Sequence, residues 1–234
     1  MTDYYSDNLD WDTVYRAFHD PARVAENITS LLGNIDDPVV FCGFPEVAAE
    51  LSRSFEIVHV DSSPTVIASS QARYPGVARI VLSEISEFLR SSNAKHVVIS
   101  GRLSAFWKTS ENLRTIADAI LAFPRESVLI DFFDEGQVFP GQVVNFSSPQ
   151  GCGAWECLDV EPSTTQEPMI TTVALKIDYS LGATNASYVA KRSYFDSSSL
   201  RRWTEEAFSE YEMSLLEGVV PNDPSFSIKM VPRR

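Results

Sequence analysis

Five short apolar runs, at residues 38–42, 56–60, 78–82, 96–100 and 127–133, recur along the first part of the chain, each rich in Val and Ile. Runs of this length that do not alternate apolar with polar residues are characteristic of strands covered on both faces. Helical periodicity fills the intervals near 45–54, 64–74, 84–91 and 110–122. In the last of these, Leu113, Ile116, Ala117, Ile120 and Leu121 share one face. Strand and helix alternating at this spacing are accommodated by a parallel sheet with right-handed crossovers. The expected fold is α/β, a doubly wound and mostly parallel sheet. With 234 residues, 44% of them hydrophobic, the chain can fill one large core and an elaboration of it.

The ends of the chain add to this plan. Asp20-Pro21 reads as an N-cap followed by proline in the first helical turn. Val24, Ile28, Leu31 and Leu32 then give an apolar face that Gly33 ends. After Asp134 the pattern changes to a loop-rich insertion over 135–168, dense in Gly and Pro. Two β-like runs at 170–179 and 187–195 follow, joined through Gly182 in a hairpin layout. A helix carrying Leu200, Trp203, Ala207 and Phe208 comes next, then two further strands near 212–219 and 225–231. We read a single unit over 1–234. It comprises an N-terminal helical lid at 1–33, a core at 38–134, a β-rich insertion at 135–190 and a C-terminal helix and hairpin at 191–234.

The chemistry is concentrated where the first two strands end. Val39-Val40-Phe41-Cys42-Gly43-Phe44-Pro45 runs a strand into a tight turn. Eighteen positions after Gly43, the second strand ends in Asp61-Ser62-Ser63. A parallel sheet presents a nucleoside pocket in this way, with turn backbone near the ligand and a carboxylate on the ribose hydroxyls. Only one glycine stands in the turn, whereas close backbone approach to a ligand favours two or three. Asp61 has a second reading, as a cap of the helix that begins near Pro64.

Taken together, this order resembles a class I S-adenosylmethionine-dependent methyltransferase of the small-molecule type, over residues 38–134 and again over 187–231. The resemblance implies a Rossmann-like sheet of seven strands closed by an antiparallel hairpin, with S-adenosylmethionine as cofactor. It places Cys42 and Gly43 in the cofactor turn, with Phe41 and Pro45 where flanking glycines are expected. Asp61 and Ser62 fall at the ribose, Ser83 and Glu84 at the adenine, and Ser100 with Arg102 on the side facing methionine and acceptor. Glu84 reads equally as an ordinary acid at the start of a helix.

Acceptor-side candidates come from two places. His19, Tyr15, Tyr5 and Trp11 lie in the N-terminal segment, where a lid would cover the pocket mouth; His19 and Tyr15 with Arg102 are the catalytic candidates. Trp107 follows the fourth strand and offers a flat wall for a small-molecule substrate, or simply packs beneath the next helix. His59, flanked by Val58 and Val60, reads as a buried structural histidine.

Charge and composition exclude other classes. A net charge of −13 opposes nucleic acid and anionic membranes as partners. Asp3, Asp7, Asp10 and Asp12 replace the basic and apolar layout of a signal peptide, so a cytoplasmic protein is expected, with a homodimer as a possible assembly. Cys42, Cys152 and Cys157 lack zinc-like spacing, and no metal site is expected. No P-loop or nucleophile elbow appears. Beside the methyltransferase stands an alternative, a protein of the same fold that transfers no methyl: a cyclase or rearrangement enzyme, or a non-catalytic partner subunit.

Overall fold

The computed structural model describes residues 17–77, 79–100, 104, 107–162, 167–220 and 225–233. Helix α1 (Pro21–Leu32) starts where Asp20 accepts the Ala22 N–H, and it stops at Gly33, whose φ of 74° suits a residue without Cβ. Then β1 (Val39–Cys42), α2 (Pro45–Leu51), β2 (Ile57–Asp61), α3 (Pro64–Arg73), β3 (Arg79–Leu82), α4 (Ile85–Ser91), β4 (His96–Ile99), α5 (Ser110–Leu121) and β5 (Ser127–Phe133) alternate. The Val and Ile runs of β1, β2, β4 and β5 are buried at every position, as their lack of alternation requires. A reciprocal capping box between Thr109 and Asn112 fixes the start of α5.

The main sheet has seven strands, β3-β2-β1-β4-β5 followed by two from the end of the chain, Ser225–Pro232 and then Tyr211–Glu217. The five from β1 to β5 pair in parallel. Strand β11 (Ser225–Pro232) runs antiparallel to β5, and β10 (Tyr211–Glu217) antiparallel to β11. Helix α6 (Ser197–Ala207) precedes this hairpin, capped by the Asp196 side chain on the Ser199 N–H. The expected parallel sheet and closing hairpin are thus both present. The strand order reverses between β1 and β4, which opens a crevice at their C-terminal ends.

The loop-rich expectation for 135–168 needs correction. A short 3-10 turn (Glu135–Gln137) is followed by two strands, β6 (Val143–Ser147) and β7 (Gly151–Pro162). They pair with β8 (Ile170–Leu181) and β9 (Thr184–Phe195) in a second, antiparallel sheet, β6-β7-β8-β9. Trp155 and Cys157 face inward from β7, while Glu156 and Leu158 face out, so an alternating pattern was present under the glycines. Gly182, at φ 58°, makes the tight β8–β9 turn. The insertion leaves and returns at one place, where Asp134 bridges Phe195 and the Thr171 hydroxyl donates to Glu135.

Two apolar clusters lie on opposite faces of the main sheet. One, beneath α5 and α6, joins Val97, Ile120, Phe132 and Leu200. The other joins Ile28 of α1 and Phe41 of β1 to the inner face of the second sheet, through Phe146, Trp155 and Tyr194. The second sheet is therefore built onto the C-terminal end of the first through a shared aromatic core. Among the described residues, no helix is long and apolar enough to cross a membrane.

Candidate active site

Asp61 ends β2 beside the crevice, and its side chain is buried. Its Oδ1 accepts the Ser63 N–H at 2.7 Å, which bends the chain into α3, while the cap itself is the Ser63 hydroxyl on the Val66 N–H. Asp61 therefore shapes the approach to the helix and is not its cap. Burial, helped by the charge of Glu84, raises its carboxyl to about 6 against the pull of the Ser63 and Ser62 N–H groups. A carboxylate held this far from water stands ready to exchange its lost hydration for ligand hydroxyls. Ser62 is exposed beside it. Ser83 donates its N–H to the Asp61 carbonyl at 3.0 Å, and Glu84, exposed, is the N-cap residue of α4 without a side-chain capping bond.

The turn after β1 has the two residues that the sequence reading left to it. Only Gly43 and Phe44 separate β1 from α2, and α2 opens with Pro45, which has no N–H to offer. Gly43 is enclosed by its own neighbours. A Cβ there would lie 2.6 Å from Cζ of Phe41 and 2.9 Å from the Ser100 carbonyl oxygen. Phe41 is fully buried, with its ring tilted against His59 at 6.1 Å. His59 is held at both nitrogens, Nε2 at 2.9 Å from the Gly43 carbonyl and Nδ1 at 3.1 Å from Ser70 Oγ. Cys42 is packed inside, its thiol pushed up by burial and by nearby Asp61.

Strand β4 supplies the facing wall. Ser100 donates its N–H to the Cys42 carbonyl at 2.9 Å. Its hydroxyl, and that of Ser104, are buried without a hydrogen-bond partner among the described residues. A buried hydroxyl left open in this way is available to a ligand or to an ordered water. Ser104 was not singled out from the sequence, and neither was Glu46, a buried acid in the first turn of α2. An acid directly after the turn was the available signal for Glu46.

The acceptor-side candidates separate. His19 is buried, its ring edge-on to Phe146 at 5.9 Å, while Phe18 meets the same Phe146 ring at 5.1 Å. The end of the N-terminal segment thus rests on the second sheet, where Gly153 leaves room for the Phe18 ring. Tyr5, Trp11, Tyr15 and Arg102 lie outside the described residues. Trp107 packs edge-on to Phe132 at 5.9 Å in the core beneath α5 and α6, matching the packing alternative raised from the sequence. Toward the crevice, Phe133 stacks on Tyr194 at 4.9 Å, and the buried Arg192 guanidinium lies 5.9 Å above the Phe133 ring.

No protein-family model and no curated protein matches the sequence. Solved structures do match. An S-adenosylmethionine-dependent methyltransferase from Clostridium acetobutylicum superposes with a TM-score of 0.68 at 10% identity, covering 96% of each chain. The sugar N-methyltransferase KedS8 from Streptoalloteichus gives 0.67 at 15% identity, covering 100% of this chain and 98% of its own. CalS10, an amino pentose methyltransferase from Micromonospora echinaspora solved with S-adenosylmethionine, gives 0.62 at 15% identity, covering 97% and 94%. The chain has the class I methyltransferase fold.

A nucleoside placed in the crevice of this fold would meet the buried acid Asp61 and the open hydroxyls of Ser100 and Ser104. The turn fits an attached amino-acid tail less well. Phe41 fills the space over Gly43, Pro45 supplies no donor, and Glu46 adds a buried acid beside it. Moving the Phe41 ring into water costs roughly 1.5–3 kcal/mol, which lowers the affinity of any ligand that requires it by about ten- to a hundredfold.

Proposed function

We propose that the protein is an S-adenosylmethionine-dependent methyltransferase acting on a small molecule. The observation that carries this reading is the buried, desolvated Asp61 carboxylate at the C-terminal end of β2, beside the strand-order reversal of the sheet. The cofactor supplies an already activated methyl group. What remains for the chain is to bind, align and exclude water, and such alignment is worth about 7–11 kcal/mol. Asp61 holds the ribose hydroxyls, with Ser62, Ser83 and Glu84 bordering the base. The Ser100 and Ser104 hydroxyls meet polar atoms nearer the reacting centre. The second sheet and the N-terminal segment cover the crevice, with Phe133, Tyr194 and Arg192 walling the acceptor side and His19 as its nearest base candidate. The names of KedS8 and CalS10 point to sugar acceptors for those proteins, and CalS10 belongs to calicheamicin biosynthesis. That supports a biosynthetic small-molecule acceptor here.

Calorimetric titration with S-adenosylmethionine and S-adenosylhomocysteine tests the reading. Binding of both to the wild type, lost in Asp61→Ala with the fold intact, is the expected result. Absence of binding for either compound overturns it. The Phe41–Gly43 contact favours a second reading, a protein of this fold that binds a nucleoside and transfers no methyl. In that case adenosine binds while S-adenosylmethionine does not.

A further inference from the structure

We propose that the edge of the main sheet opposite the nucleoside crevice carries a binding site for a divalent transition-metal ion of the zinc class, built from Asp37, His96 and Glu126. Asp37 precedes β1, His96 opens β4 and Glu126 precedes β5. Their ligand atoms all lie within 4.8 Å of one another. No sequence spacing announces the group, because pairing of β1 and β5 with β4 brings the three together.

His96 is the deciding member. Its side chain is only 5% exposed, and its Nδ1 lies 2.8 Å from Ser127 Oγ, a bond that fixes the ring. Its Nε2 makes no hydrogen bond among the described residues and points toward Glu126, whose Oε2 is 3.9 Å away. A buried imidazole with one nitrogen anchored by a second group and the other directed at carboxylates is how metal-binding histidines are oriented. One imidazole and two carboxylates suit a borderline cation such as Zn²⁺, with water completing the coordination. Ligand atoms around a tetrahedral Zn²⁺ stand about 3.3 Å apart, given bond lengths of about 2.0–2.2 Å. The group closes to that spacing by side-chain rotation, which the half-exposed Asp37 and Glu126 allow.

Lys95 competes for the same place. Its ammonium sits 2.9 Å from Asp37 and 3.0 Å from Glu126, holding the two acids together when no metal is there. The Lys95 side chain is 47% exposed, so it can swing into water as the ion enters. Metal binding therefore exchanges one cation for another, and removing the lysine charge strengthens it.

The test is equilibrium dialysis of the full chain against ZnCl₂, with Co²⁺ absorption as a reading of coordination. One Zn²⁺ per chain is expected in the wild type, at least tenfold weaker in His96→Gln and at least threefold tighter in Lys95→Gln. Glu126→Gln, at a half-exposed position, repeats the loss should His96→Gln fail to fold. Absence of stoichiometric Zn²⁺ in both the wild type and Lys95→Gln overturns the proposal. So does binding that both His96→Gln and Glu126→Gln leave unchanged, which places the ion elsewhere.

Discussion

His59 Nε2 lies 2.9 Å from the carbonyl oxygen of Gly43, and its Nδ1 lies 3.1 Å from Ser70 Oγ, so one side chain of β2 binds both the turn after β1 and helix α3. Burial pushes the imidazole below its ordinary value of 6.5, against the pull of the Gly43 carbonyl. The ring is therefore neutral, donating from Nε2 to Gly43 and accepting at Nδ1 from the Ser70 hydroxyl. This assignment follows from the partners.

A pH dependence follows from that neutral ring. Above about pH 6.5 neither the folded nor the unfolded chain protonates it, and its contribution to stability is complete. As the pH falls, the unfolded chain takes up the proton first, and stability declines until the folded value is passed. Between about pH 7.5 and pH 5 His59 should pull the urea midpoint down while Asp61 pushes it up, so the His59 share is read as the difference between the wild type and His59→Gln. As the pH falls, the wild type should lose stability relative to His59→Gln; parallel curves would remove His59 as a contributor.

Asp61 should act in the opposite sense. Its carboxyl is raised from 3.8 to about 6, so the unfolded chain releases its proton first and stability falls as the pH rises through that window. Above it, the folded protein carries the full cost of a buried charge. Asp61→Asn should raise ligand-free stability by about 1–3 kcal/mol at about pH 8 and by nothing near pH 4. The same substitution should weaken nucleoside binding by roughly 2–3 kcal/mol. A variant less stable than wild type at high pH would mean that the Ser63 and Ser62 N–H groups outweigh desolvation.

Phe41 sets what the turn accepts. In the wild type, methylthioadenosine should bind within about tenfold of S-adenosylmethionine, a difference of about 1.4 kcal/mol, because the tail gains little. Phe41→Ala should shift the ratio at least tenfold toward the full cofactor while lowering stability by about 3–5 kcal/mol. A wild type that prefers the full cofactor a thousandfold would show the ring to be no obstacle.

Arg125 offers a test remote from the site. Its buried guanidinium donates to the carbonyls of Leu89 and Ser92 at 2.8 Å, Ile120 at 3.1 Å and also Ala94, tying the ends of α4 and α5 together. No carboxylate is among these partners. Arg125→Met should cost about 3–5 kcal/mol in thermal or urea unfolding, since several buried carbonyls lose their donor at once. A loss below about 1 kcal/mol would mean that water replaces the side chain.

How much of this was legible follows from how local each signal is. The strands β1 to β5 announce themselves because each is buried on both faces and needs no partner to be recognised. Strands β6 and β7 do not, since Gly151 and Gly153, which read as loop residues, are there to admit Ala17 and Phe18 against the sheet. The place of Asp61 at the end of β2 was readable from the apolar run that precedes it. The closure of the turn was not, because it depends on where the Phe41 ring goes once His59 and Ser100 have taken their places. For the same reason the sequence left Trp107 between a wall of the crevice and packing beneath the next helix, and the contact with Phe132 is the packing one.

The bridge between Asp134 and Phe195 brings the two ends of the second sheet to a single seam. None of the residues between Asp134 and Phe195 takes part in the ladders that join β5 to β11 and to β4. Beyond that seam the second sheet meets the first by packing, through Phe133 on Tyr194 and through Phe146 and Trp155 in the cluster with Ile28 and Phe41. The covering sheet is in this sense an excursion from a finished core, entered and left at one point and joined to it by packing and a single bridge.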